Sequence, residues 1–454
     1  MNKEDIKISY ETLWKFIIRP PRDEYDEELL GYSLFTYKNR QYQRSDYDLI
    51  SSQGYVMKSS FIEPIEAYRP SIEMPVVLYL HGNSSSRLEG LNNIEVLLNN
   101  DINLFVIDFP GCGLSEGEYI SLGYHEKDDV KIVVDFIENL PGVSKIGLWG
   151  RSMGAATTLL YAHSDPRITA ICVDSPFQSF KKLAEELVVK QIKLPKFIID
   201  GALKIVEGTV KKKNGLEIDK LKPIDYIANT FQPALFIHAI HDELINVEHS
   251  INLFNNYGGP KSLKCCDKGG HNSRRPKIIK KEIGEFFYKY LCTHASEIEE
   301  KESKIIHTYK TENKNNEYYN NNKNDIYYED ENEYEYDNYE NDYEDINENE
   351  SLEHLYEEDY IVNQILQSQN GGKNSDTNQK KIKDENIKKE KIKNNERIKK
   401  KLKEEKMQME EMKKAFISLN INNNINDNDE NEEEEYKNNS NSPKDLENGG
   451  KIDF

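Results

Sequence analysis

The stretch "SKIGLWGRSMGAATTLLYAHS", residues 144–164, decides how this chain is read. A short apolar run ends at Gly150. Arg151, Ser152, Met153 and Gly154 follow, and then a run with helical composition. The form G-x-S-x-G at a strand-to-helix junction predicts a sharp turn that lifts Ser152 above the carboxyl edge of a sheet. Small residues two before and two after the serine let that turn close against its neighbours. The helix opening there aims its first N–H groups at the place where negative charge would develop.

Working outward, apolar runs alternate with helical periods. "PVVLYL" (75–80) and "INLFVID" (102–108) read as buried strands, and "SKIGLWG" (144–150), "ITAICVDS" (168–175), "ALFIHAI" (234–240) and "SLKCCD" (262–267) as further strands. Between them, "RLEGLNNIEVLLNN", "YHEKDDVKIVVDFIENL", "SMGAATTLLYAHS", "NVEHSINLFNNYG" and "KIIKKEIGEFFYKYL" read as helices. In the second of these, Val130, Val133, Val134, Ile137 and Leu140 form one apolar stripe. The succession predicts an α/β fold, a mostly parallel central sheet with helices on both faces. It is interrupted once, at 176–232, by "FKKLAEELVVKQI" and "LPKFIIDGALKIVEGTVKKKNG". Leu183, Leu187, Phe197, Ile198, Leu203 and Val206 exceed what a surface loop needs, so a helical cap inserted above the sheet is expected.

The flanks differ. Residues 1–45, with Pro20-Pro21, read as an extended arm packed on the main domain, and 46–64 as a hairpin around Gln53-Gly54. The main domain is expected over 46–295. From residue 296 the chain becomes an acidic Asn/Asp/Glu/Tyr tail with few aliphatic residues, expected to be mostly disordered over 296–454. One charged helix is expected at 384–419. There Ile387, Ile392, Ile398 and Leu402 keep no heptad, so a coiled coil is not favoured over a solvated or partner-binding helix. The formal net charge is −21, most of it in the tail, which argues against nucleic acid as a partner.

Cys112, Cys172, Cys265, Cys266 and Cys292 are odd in number and irregularly spaced, so no disulfide framework is expected. No secretory signal, apolar span or simple lipidation motif is recognised, and a cytoplasmic protein is expected. The cap lysines raise the expectation of peripheral membrane contact through a basic face.

A nucleophilic serine needs a base, and the base needs an orienting acid; in such sheets the chain order is Ser, acid, His. Strand 234–240 runs into His241-Asp242-Glu243, and "KGGHNSRRP" carries His271 on a loop before the last helix. The expected catalytic set is Ser152, Asp242 and His271, with Glu243 and Asp174 as lesser candidates for the acid. The oxyanion donors are expected to be the amides of Met153 and of Asn83 in "HGNSSS". Asp108, opening "DFPGCGLSEG", is expected to fix that loop by hydrogen bonds. His125, His163 and His249 fit less well as bases, and His238 and His241 lack further metal-ligand spacing.

The ordered set "HGNSSS", "DFPGCGLSEG", "GRSMG", "DSPF", "HDELI" and "GGHN" resembles the α/β-hydrolase-fold serine hydrolases over about residues 45–292. It is similar to the branch holding acyl-protein depalmitoylases and the serine-aminopeptidase-like and monoacylglycerol-lipase-like enzymes. The resemblance implies a serine esterase, thioesterase or lipase-like hydrolase forming an acyl-enzyme on Ser152, with no metal or organic cofactor. The implied substrate is a small-molecule or acyl-protein ester or thioester. Two alternatives stand beside it: an inert hydrolase-fold scaffold whose tail binds a protein partner, and a serine peptidase.

Overall fold

A computed structural model describes residues 17–191 and 196–293, together with Glu11, Trp14, Lys15, Lys400, Lys403 and Met407. Apart from Lys400, Lys403 and Met407, the tail expected to be mostly disordered and the charged helix expected at 384–419 lie outside the described residues.

Among the described residues, nine strands form one sheet in the order β1-β2-β3-β5-β4-β6-β7-β8-β9. The first three are β1 (Leu34–Tyr37), β2 (Arg40–Ile50) and β3 (Val56–Pro64), all antiparallel, with β3 also antiparallel to β5. The other six, β4 (Met74–Leu80), β5 (Asn103–Ile107), β6 (Val143–Arg151), β7 (Ile168–Asp174), β8 (Ala234–Ala239) and β9 (Lys261–Cys266), pair in parallel.

Connecting helices are α1 (Leu88–Leu91), α2 (Ile94–Leu98), α3 (Glu126–Glu138), α4 (Met153–Ala162), α5 (Phe180–Gln191), α6 (Lys196–Asn214), α7 (Glu248–Asn256) and α8 (Lys277–Phe287). Side chains alternate along each central strand, so the sheet divides the apolar residues into two cores. Val76, Leu78 and Leu80 face one core with Val130, Val133 and Leu159, whereas Val77 and Tyr79 face the other with Leu97, Ile283 and Phe287. Val130, Val133, Val134 and Ile137, the stripe read from the sequence, are fully buried, and Leu140 packs against them.

The arm boundary at residue 45 needs correction, because the sheet already begins at Leu34. Lys38 and Asn39 take φ 46° and 64°, the pair of left-handed residues that a two-residue hairpin turn requires. Tyr37 and Arg40 pair directly across it. Upstream of Leu34 the segment does pack on the domain. The Arg22 guanidinium donates to Gly111 O (3.2 Å), Ser115 O (2.9 Å) and Gly117 O, and Tyr25 OH donates to Asp108 Oδ2 (2.7 Å).

The insertion at 176–232 carries α5 and α6, as read from the sequence. Several of its lysines are already engaged. Lys181, Lys182 and Lys211 pair with Asp219, Glu186 and Glu217, and Lys213 lies 4.2 Å from the centroid of the Trp14 ring. All five cysteines are free thiols; Cys265 is exposed and Cys266 buried, as alternation along β9 requires. Among the described residues, no helix is long and apolar enough to cross a membrane.

The chain leaves β4 for β5 on one side, then returns to β6 on the other. The carboxyl ends of β4 and β6 therefore flank a switch point, where crevices open in sheets of this kind.

Candidate active site

Near the end of β6, Gly150 lies beside Leu80 of β4 and Val173 of β7, and the last strand residue, Arg151, pairs with Asp174. The next residue, Ser152, takes φ 51° and ψ −112°, a backbone conformation that a side-chain-bearing residue adopts only under strain. The flanking glycines are required by contact. A Cβ at Gly150 would lie 2.2 Å from Gly154 O, and one at Gly154 would lie 2.0 Å from Leu80 O. No side chain fits either gap, so the turn tightens and Ser152 stands at the strand's end with α4 beginning behind it.

Two later segments meet the serine. The loop after β9 carries His271, and Ser152 Oγ donates to His271 Nε2 at 3.0 Å. The loop after β8 carries Asp242, whose Oδ2 accepts from His271 Nδ1 at 2.7 Å. An ionised carboxylate only accepts, so Nδ1 holds the ring proton and Nε2 is free to take the serine's. The Leu244 and Ile245 amides donate to Asp242 Oδ1 at 2.9 and 2.7 Å. Burial alone would raise the Asp242 pKa. Hydrogen bonds from His238 and His271, the charge interaction with His271 and the Ile245 amide outweigh it and hold the carboxyl well below the usual range.

The other candidate residues have other partners. Asp174 is buried and receives the Arg275 guanidinium, Nε to Oδ2 at 2.8 Å and NH2 to Oδ1 at 2.7 Å. Burial opposes its charge, but Arg275 more than compensates, so the Asp174 pKa is lowered. Glu243 accepts the backbone N–H of His271 at 3.0 Å through Oε2. It therefore grips the histidine's loop and not its ring. His249 Nδ1 accepts from the Gln178 amide, which leaves Nε2–H for Glu186 of α5 at 3.0 Å. His125 Nε2 meets Asn214 O at 2.7 Å, and His163 packs against Tyr226. His241 is exposed while His238 is fully buried.

The loop after β4 lies against the nucleophile turn, since a Cβ at Gly82 would sit 3.7 Å from Ser152 Cβ. Phe109 N donates to His81 Nε2 at 3.1 Å, so the His81 proton is on Nδ1 and donates to Gly82 O at 2.8 Å. Among the described residues, no acceptor takes the amide N–H of Asn83 or of Met153. Asp108 Oδ1 accepts from Arg87 N (2.6 Å) and Oδ2 from Leu114 N (3.0 Å), which fixes the glycine-bearing loop.

Several residues at the site were given no role in it from the sequence. His238, fully buried beneath Asp242, sets Nδ1 against Ser250 Oγ (2.7 Å) and Nε2 against Ile245 O (2.8 Å) and Asp242 Oδ2 (3.3 Å). Arg151 NH2 donates to His271 O at 2.6 Å, and Arg275 NH1 donates to Gly270 O at 3.2 Å. Arg151 and Arg275 sit inside "GRSMG" and "GGHNSRRP", so position within a motif is the signal that could have raised them. Nothing in the sequence marks His238.

Residues 75–198 match the family model described as the alpha/beta hydrolase fold. The chain has the α/β-hydrolase fold. Over 252 residues it is 28% identical to the uncharacterized protein YqkD of Bacillus subtilis, covering 54% of this chain and 80% of that one. Over 212 residues it is 26% identical to the alpha/beta hydrolase domain-containing protein WAV2 of Arabidopsis thaliana, covering 45% of this chain and 64% of that one. Among solved structures it is similar to the Pyrococcus furiosus esterase Pf2001, with TM-score 0.46 and 22% identity over 60% of this chain and 99% of that one. It is also similar to Est1E from Butyrivibrio proteoclasticus, with TM-score 0.44 and 16% identity over 54% and 100%. In this α/β-hydrolase domain the sheet's carboxyl edge gathers the serine, the imidazole and the carboxylate from three loops.

Proposed function

We propose that the protein is a serine hydrolase that cleaves a carboxylic ester or thioester through an acyl-enzyme on Ser152. The observation that carries this reading is the continuous hydrogen-bonded line Ser152 Oγ, His271 Nε2, His271 Nδ1, Asp242 Oδ2, with links of 3.0 and 2.7 Å. In this reading Ser152 Oγ attacks the substrate carbonyl carbon as its proton passes to His271 Nε2. The amides of Asn83 and Met153 receive the oxyanion. His271 then gives the proton to the departing alcohol or thiol. A water, activated by the same nitrogen, attacks the acyl carbon and frees Ser152. Asp242 stays ionised throughout and holds the imidazolium.

A fluorophosphonate probe tests the proposal. The full chain should label covalently, and Ser152→Ala should lose the label while keeping its Tm. Hydrolysis of p-nitrophenyl esters of graded acyl length should fall at least about 10³-fold in that variant. A folded wild type that neither labels nor hydrolyses any ester or thioester removes the proposal and leaves the inert-scaffold reading.

A further inference from the structure

The nucleophile turn and the loop after β4 meet at one carboxylate that the mechanism above does not use, and Arg151 links that carboxylate to the His271 loop. Glu89, on α1, has a side chain only 11% exposed, and that of Arg151 is 20% exposed. Glu89 Oε2 accepts the backbone N–H of Gly82 at 3.1 Å, the residue immediately before Asn83. Oε1 accepts Tyr79 OH at 3.0 Å and faces Arg151 NH1 at 3.4 Å. Burial would raise the Glu89 pKa, but Arg151, Ser85, His81 and Gly82 together lower it, so the carboxylate stays charged. From the other branch of its guanidinium, Arg151 donates to His271 O at 2.6 Å.

We infer that Glu89 and Arg151 form a positioning pair that sets the oxyanion loop and the base loop in register with Ser152. This inference rests on the proposed hydrolase reading. Gly82 contributes no group to the reaction, yet the peptides on both sides of it are held, its N–H by Glu89 and its C=O by His81. The Asn83 N–H shares the peptide plane of that held carbonyl, so the clamp leaves it a rigidly placed donor. Arg151 then links the clamp to the carbonyl of the histidine itself. A planar guanidinium with two separated N–H branches can serve both acceptors at once; a lysine ammonium on a flexible stem cannot hold the two in fixed geometry. An oxyanion exists only after attack, so a shifted donor loop weakens the transition state more than the bound substrate.

The test uses the full chain with a fluorophosphonate and a p-nitrophenyl ester. Glu89→Gln and Arg151→Met should each lower kcat about 10- to 100-fold, with KM within about 3-fold of wild type. Their phosphonylation rates should fall in parallel. Arg151→Lys should restore the Tm but less than a tenth of the lost kcat. The double variant should be no slower than the slower single variant, because the two residues act as one unit. Wild-type kcat in the folded single variants, or losses that multiply in the double variant, would overturn the inference. Should a single variant fail to fold, the double variant, which leaves neither charge alone, carries the test: a kcat loss with unchanged KM supports the pair, and wild-type kcat refutes it. Failure of the wild type to react with either reagent speaks instead against the hydrolase reading.

Discussion

At Ser152 the backbone strain and the position of the hydroxyl have one cause. The chain turns so tightly between β6 and α4 that Gly150 and Gly154 are in backbone contact, and the residue between them is driven to positive φ. Such a residue costs of order 1–3 kcal/mol, which the packed sheet on either side must offset. Asp242 is the complementary case, where a buried charge is stabilised by donors on every side. Its carboxyl is held below the usual range, so it remains ionised wherever the protein is folded and adds no second ionisation to the acid limb of the rate profile. The logarithm of kcat/KM should therefore rise with a slope of about 1, not 2, as pH increases from 5. Asp242→Asn presents an amide that can offer N–H where the carboxylate accepted, favouring the wrong imidazole tautomer. It should lower kcat about 10³- to 10⁴-fold with a small change in KM. Steady-state kinetics on the same ester measures both.

At the scale of elements, α3 offers the clearest pH-dependent test. Asp129 is 1% exposed, and its Oδ1 accepts both the amide and the hydroxyl of Ser52 at 2.8 Å, which docks the hairpin turn onto the helix. Burial, aided by Glu126, outweighs those bonds and raises its pKa from 3.8 to about 6. A carboxyl raised in the folded state binds its proton more tightly there than in the unfolded chain. Stability is therefore lost as pH climbs from about 4 through 6, and the charged form is the destabilising one. Asn keeps the acceptor and removes the charge. Asp129→Asn should exceed the wild type by about 1–2 kcal/mol at pH 8 and match it near pH 4. Urea midpoints at the two pH values decide it.

The elements were largely legible beforehand because the central strands are uniformly apolar and the helices keep their stripes. The hairpin at Lys38-Asn39 was not, because "KN" lacks the glycine that usually marks such a turn and the arm prolines drew the boundary too late. At the site, Ser152, Asp242 and His271 stood out by motif and chain order. Glu89 and His238 did not, because an isolated acid in a short helix and a histidine inside a strand have no local pattern; only tertiary packing brings them to the site.

For the molecule as a whole, the last buried apolar side chain among the described residues is Leu291. Leu291 and Phe287 close one core, and the Lys145 ammonium donates to Tyr290 O and Thr293 O at 3.2 and 3.1 Å. Deleting residues 296–454 should leave the Tm within about 2 °C and the fluorophosphonate reaction unchanged, whereas an inert-scaffold role predicts that the cellular phenotype follows the deletion instead. Differential scanning fluorimetry and probe labelling of the two chains check the first outcome, and the phenotype of cells carrying each chain checks the second. Folding must join distant segments, since the serine, acid and histidine lie at 152, 242 and 271 and are assembled only when the last parallel strand docks.

That strand is the sheet's border. Among the described residues β9 pairs with β8 alone, while β6, which bears the serine, is held between two neighbours. A border strand opens at lower free energy than the interior does. Peeling β9 away would carry off the imidazole while the serine turn and most of the secondary structure stayed in place. The first thermal damage to this protein is thus expected to be chemical silence in a molecule that still looks folded.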